Sequence, residues 1–122
     1  MKNPHRAVWT AVFTALLVLT APNFAFACNK TFVVYNYADN SIVRFYVAPT
    51  SARSWEDNVL SSAGSIEPDT TKRINMTSDT RNLSLYDVRA VFDDGTKIEG
   101  GKINLCRAQR VNIYDDHVTF SE

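Results

Sequence analysis

Residues 84–100 read SLYDVRAVFDDGTKIEG, and their alternation decides the fold class. Tyr86, Val88, Ala90 and Phe92 fall on one side of an extended chain, and Asp87 and Arg89 on the other. A period of two with β-branched and aromatic residues is the pattern of a half-buried strand. Asp94-Gly95 follows directly and suits a tight reversal, because a turn whose central residues need φ > 0 favours Asp-Gly. A second strand then returns from Thr96, and Gly100-Gly101 predicts a bend or bulge in it.

Working outward, the same signal recurs. Thr31–Tyr37 (TFVVYNY) is β-branched and aromatic, and 38–41 (ADNS) is a turn cluster. Ile42–Ala48 (IVRFYVA) places Val43, Phe45 and Val47 on one face and Arg44 and Tyr46 on the other, and Pro49 ends it. Residues 70–76 form a polar strand after the Glu67-Pro68-Asp69 turn. Segments 96–99, 102–107, 109–114 and 117–120 supply the rest. Short strands punctuated by turn residues predict one all-β, antiparallel β-sandwich of about seven strands. One helical turn is predicted at Trp55–Leu60. Ser54 is its cap, and Asp57 three residues on makes an acidic variant of the capping box.

The N-terminus carries a different message. Lys2, His5 and Arg6 precede an apolar stretch of about 15 residues from Ala7, and Ala25-Phe26-Ala27 closes it. A basic head, a short apolar middle and an A-x-A end predict a secretory signal over 1–27. The run is shorter than the roughly 20 apolar residues a membrane span needs. Residues 28–122 are then a single domain. The first 27 residues hold two of the 13 basic side chains and no acidic one, so residues 28–122 carry 11 basic against 13 acidic groups. That mild acidity opposes a charge-driven nucleic-acid partner.

Two cysteines remain, Cys28 and Cys106. An even count in an exported domain predicts a disulfide. Acylation is the rival reading, since Cys28 directly follows Ala27. The Ala25-Phe26-Ala27 box is a poor lipidation signal, and lipidation would leave Cys106 a free thiol.

Candidates for chemistry are few. His117 stands beside Asp115 and Asp116, but no Gly-x-Ser-x-Gly elbow accompanies it. Asp93-Asp94-Gly95 lacks the spaced oxygen ligands of a calcium loop, and no Cys/His cluster suits zinc. Glu56 and Asp57 beside Trp55 resemble a sugar-processing pair, yet adjacent residues point apart. Asp87 and Arg89 share a face and suit a surface ion pair. The five tyrosines, Tyr35, Tyr37, Tyr46, Tyr86 and Tyr114, suit strands and also interaction surfaces. Asn29, Asn75 and Asn82 begin N-x-[ST] sequons, which have meaning only in a eukaryotic secretory pathway.

Taken together, Asn40-Ser41-Ile42 through Phe45-Tyr46, Ser54-Trp55-Glu56-Asp57 with Leu60, Tyr86–Gly95 and Ile103-Asn104-Leu105-Cys106 resemble a family of small exported bacterial proteins of uncharacterised function. The resemblance covers most of residues 31–114. It implies export and a β-sandwich, and it brings no catalytic residue. Members often carry a cysteine just before the Tyr-Asp pair, where this chain has Leu85, so a Cys28–Cys106 bridge would be a substitute.

The expectation is a periplasmic or secreted, non-enzymatic binding or envelope-interaction module without cofactor or metal. Its partner would be a protein or envelope component, met through Trp55, Tyr37, Tyr46 and Arg44. A small inhibitor of an extracellular hydrolase is the alternative.

Overall fold

A computed structural model describes residues 28–61 and 64–122; the predicted signal at 1–27 lies outside the described residues. Seven strands follow in order: β1 (Thr31–Asn36), β2 (Ile42–Pro49), β3 (Thr71–Asn75), β4 (Leu85–Phe92), β5 (Lys97–Asn104), β6 (Arg110–Ile113) and β7 (Val118–Ser121). They form a four-stranded sheet, β3-β1-β6-β7, and a three-stranded sheet, β2-β4-β5. All neighbours are antiparallel except β1 and β6, which run parallel.

The sheets pack face to face, as the alternation requires. Phe32, Val34, Ile74, Val111 and Ile113 of the first meet Phe45, Val47, Tyr86, Val88 and Ile103 of the second in one buried cluster. Phe32 and Phe45 touch across the interface with ring centroids 6.5 Å apart. Phe45 and Val47 point inward as expected. Ile42 rather than Val43 takes the interior, because β2 is irregular against β4 between Ile42 and Arg44.

The hairpin after Phe92 forms, with a three-residue loop. Gly95 N–H donates to Phe92 O and Phe92 N–H to Thr96 O. Among the loop residues Gly95 alone has positive φ, at 86°. This is a turn followed by a left-handed residue rather than a two-residue reversal. The returning strand runs unbroken from Lys97 to Asn104, joining two segments the sequence separates.

The helical turn predicted at 55–60 is absent. Asn58 forms a bridge with Tyr46 instead. Its Oδ1 accepts from Phe45 N–H (2.9 Å) and Leu60 N–H (3.1 Å), while Val59 N–H donates to Phe45 O (2.8 Å). Long-range pairing to the β2 edge outweighs one local cap, which is worth only about 1 kcal/mol.

Among the described residues two polar ones, Asn36 and Lys30, are buried. Asn36 is satisfied completely: its Nδ2 donates to Asn40 O and Ile66 O, and its Oδ1 accepts from Ala38 N–H. It thereby fixes both the turn after β1 and the segment before β3. Lys30 is the other and is treated below.

At Gly100 the backbone of β5 lies close against β7. A Cβ there would stand 2.8 Å from Val118 Cβ on β7. Gly100→Ala is therefore expected to cost roughly 1–3 kcal/mol by overpacking, read by urea denaturation. Adding Val118→Ala should restore part of the loss; unchanged stability in Gly100→Ala alone would contradict the close approach.

Candidate functional site

The outward face of the four-stranded sheet carries a stacked row of aromatic rings. Tyr35 and Tyr37 lie two apart on either side of inward-facing Asn36, so both point outward. The parallel register sets Asn36 beside Ile113, and Tyr37 N–H donates to Ile113 O, which brings Tyr114 next to Tyr37. The β6–β7 turn, closed by Tyr114 N–H to His117 O, adds His117. Ring centroids are 3.9 Å apart for Tyr35–Tyr37, 4.9 Å for Tyr37–Tyr114 and 4.3 Å for Tyr114–His117. Arg110 caps the far end, its guanidinium 4.5 Å from the Tyr35 centroid and 5.8 Å from that of Tyr37. Its Nη2 also donates to Tyr37 Oη at 2.8 Å.

The rings therefore spend their faces on one another and offer their rims to solvent. Tyr37 is 40% exposed. The column is pre-ordered, since each ring holds its neighbour. A pair of this kind contributes about 0.5–1.5 kcal/mol beyond area burial.

The four surface residues expected from the sequence divide between two faces. Tyr37 belongs to the column. Arg44 and Tyr46 point outward from β2 on the opposite sheet, and Trp55 lies there too, 4.7 Å from the Arg89 guanidinium. Tyr35, Tyr114, Arg110 and His117 complete the column. Of these, only the outward alternation of Tyr35 with Tyr37 is visible without the strand order.

His117 and Glu56 are poorly placed for catalysis. His117 Nδ1 lies 2.6 Å from Asp116 Oδ1, and that hydrogen bond holds the Asp116 carboxyl below its ordinary range. The ring is more than half exposed and stacked on Tyr114, and no nucleophile is bonded to it among the described residues. Glu56 receives two hydrogen bonds from the Arg81 guanidinium, at 2.8 and 2.9 Å, which hold its carboxyl below its ordinary range. A carboxylate so held is a poor general acid.

Arg81 leads into a buried ionic network. Asp79, 8% exposed, takes hydrogen bonds from Arg81 Nε (2.9 Å) and Tyr86 Oη (2.8 Å). Lys30, 2% exposed, sits 3.6 Å from Asp79 Oδ1 and 5.3 Å from the Tyr86 ring centroid. Its ammonium also donates to the carbonyls of Asp79 and Arg81. The Arg81 guanidinium, more than any other group, keeps the Asp79 carboxyl far below the usual range. Burial pushes the Tyr86 hydroxyl up. Beside the network lies an open hollow of about 510 Å³ that includes Val47, Met76 and Thr80. Every charge in the network has a protein partner, so it reads as a brace for the 76–83 loop.

Cys28 and Cys106 form a disulfide, 78 residues apart in sequence. Among the described residues no helix is long and apolar enough to cross a membrane, and no group of three or more His, Cys, Asp or Glu could hold a metal ion.

These features define the class: a small disulfide-linked all-β sandwich. No family model matches the chain, and no curated protein matches it. Among solved structures it is similar to the NMR structure of a protein from Eubacterium rectale, with a TM-score of 0.54 and 14% identity. The match covers 83% of this chain and 96% of that one and concerns the fold alone.

Proposed function

We propose that this is an exported, non-enzymatic binding module whose contact surface is the Arg110–Tyr35–Tyr37–Tyr114–His117 column. The contiguity of those rings on one outer face carries the reading. Rigid tyrosines give large contact area at little entropic cost, which suits a protein partner. A glycan stacking on this face would need an open ring face, and the column's internal faces are occupied by one another. Export is supported by the disulfide, a bond kept in oxidising compartments, and by the signal pattern of residues 1–27. The periplasm is the compartment this reading favours. An inhibitor acting through the Trp55 loop has less support, because that ring lies against Arg89 rather than projecting.

The test is affinity capture from envelope extract with three versions of the protein. Tyr37→Ala is expected to lose its partner, because the substitution opens the middle of the column, whereas Trp55→Ala on the opposite sheet should retain it. Loss confined to Trp55→Ala would move the surface to the other face and overturn this assignment. Truncation at an interface centre costs about 2 kcal/mol or more, roughly a thirtyfold weakening.

A further inference from the structure

The three-stranded sheet presents a second feature that the column does not use. Two small clefts of about 190 and 170 Å³ open beside Trp55, and both are lined by Trp55 and Asp87. Arg53 and Ser54 border the first; Glu99, Gly100 and Gly101 border the second.

The strand beneath is shaped around Asp87. Tyr86 pairs with Ile103 and Val88 with Gly100, so Gly101 and Lys102 together oppose Asp87. That is a bulge, a device that re-aims a side chain. Lys102 adopts φ 57°, a left-handed conformation unfavourable to a residue with a Cβ. The distortion brings Lys102 N–H to Asp87 Oδ1 at 3.0 Å, and the Thr50 hydroxyl donates to the same oxygen at 2.8 Å. Both restraints act on Oδ1. Oδ2 receives no hydrogen bond among the described residues. Gly101 leaves the ground beside the carboxylate bare, for a Cβ there would stand 3.0 Å from Oδ1.

We propose that this pair of clefts is a carbohydrate site, each cleft admitting one pyranose ring of a neutral oligosaccharide. Asp87 Oδ2 would accept from sugar hydroxyls, and the Trp55 indole would meet the C–H face of a ring. The local charge favours a neutral ligand over a cation. Glu99 is already bound to Arg89 (2.6 Å), Arg89 occupies one face of Trp55, and Arg53 lines the first cleft. In binding clefts a few placed polar groups set against aromatic walls fix the orientation of a ligand, and Asp87 beside Trp55 supplies that pairing.

The ¹⁵N-labelled, disulfide-bonded protein would be titrated separately with cellotetraose, maltotetraose and N,N′,N″,N‴-tetraacetylchitotetraose. These arms separate glucans from N-acetylhexosamine polymers. One of them is expected to give saturable shifts of the Trp55 indole N–H and of the Gly100, Gly101 and Lys102 amides. Asp87→Asn keeps an Oδ1 acceptor and the side-chain shape, so the fold survives, yet affinity should fall roughly tenfold. Tyr37→Ala should bind sugar as the parent does, which separates this site from the protein-binding surface. The proposal is overturned by any of three results: no saturable shift with all three sugars at millimolar concentration, unchanged affinity in Asp87→Asn, or displacement of the bound sugar by tetralysine.

Discussion

Replacing Asp79 with asparagine is expected to destabilise the protein by roughly 3 kcal/mol, the cost of leaving a buried charge without its partner. For a domain of this size that is a fall of about 12–24 °C in Tm. Lys30, 2% exposed, loses its counter-ion, while Arg81 and Tyr86 lose a charged acceptor. The reverse substitution should be milder. In Lys30→Met an apolar chain fills the same channel, and Asp79 keeps Arg81 and Tyr86 as donors, so about 1 kcal/mol is expected. Equal losses in the two variants, or the opposite order, would show that Asp79 does not anchor the network.

The pH dependence has a definite sign. The Asp79 carboxyl is held well below its ordinary range, chiefly by Arg81. A depressed acid contributes its stability above its unfolded pKa, about 3.9, and loses it as the pH falls further. The parent should therefore lose stability progressively below about pH 4, and Asp79→Asn should show a shallower loss there. Denaturant midpoints measured between neutral pH and pH 2 would read the difference.

Removing the disulfide by Cys28→Ser with Cys106→Ser is expected to cost about 4.5 kcal/mol, the chain-entropy value for a closed loop with a separation of 78. The urea midpoint of the oxidised protein should fall to that of the double variant when a reductant is added. The loss also reaches the ionic network, since Lys30 lies two residues from Cys28 and its burial depends on an anchored N-terminal segment. Combining the cysteine substitutions with Asp79→Asn should thus cost less than the two separate losses summed. Strict additivity would mean that Lys30 stays in place without the bridge.

How much of this is legible in the chain depends on the range of each interaction. β4 and the hairpin at Gly95 are readable because alternation and turn chemistry are local. The bulge at Gly101–Lys102 is signalled for the same reason by the Gly100-Gly101 pair, one residue off its true place. The error at 55–60 has the opposite origin: Ser54 and Asp57 are local cap signals, whereas Asn58 answers to Phe45 across a loop. Lys30 resembles any solvated lysine, and the carbonyls that bury it lie 49 and 51 residues away. The surface set of Trp55, Tyr37, Tyr46 and Arg44 divides between two sheets because strand order is not written in any one strand. Tyr114 joins Tyr37 only through the parallel β1–β6 register.

That parallel pairing has a consequence in time as well as in space. β1, at residues 31–36, is flanked by β3 and by β6, at residues 110–113, so an inner strand of its sheet must wait for a partner far along the sequence. Pairings of such long sequence separation form slowly, after a large loop-closure entropy has been met. A chain emerging N-terminus first can pair β2, β4 and β5 early, but it cannot complete the other sheet until β6 and β7 have followed. Until then the apolar side of the three-stranded sheet lacks most of its cover, which exposes Phe45, Val47 and Val88 for as long as β6 is missing.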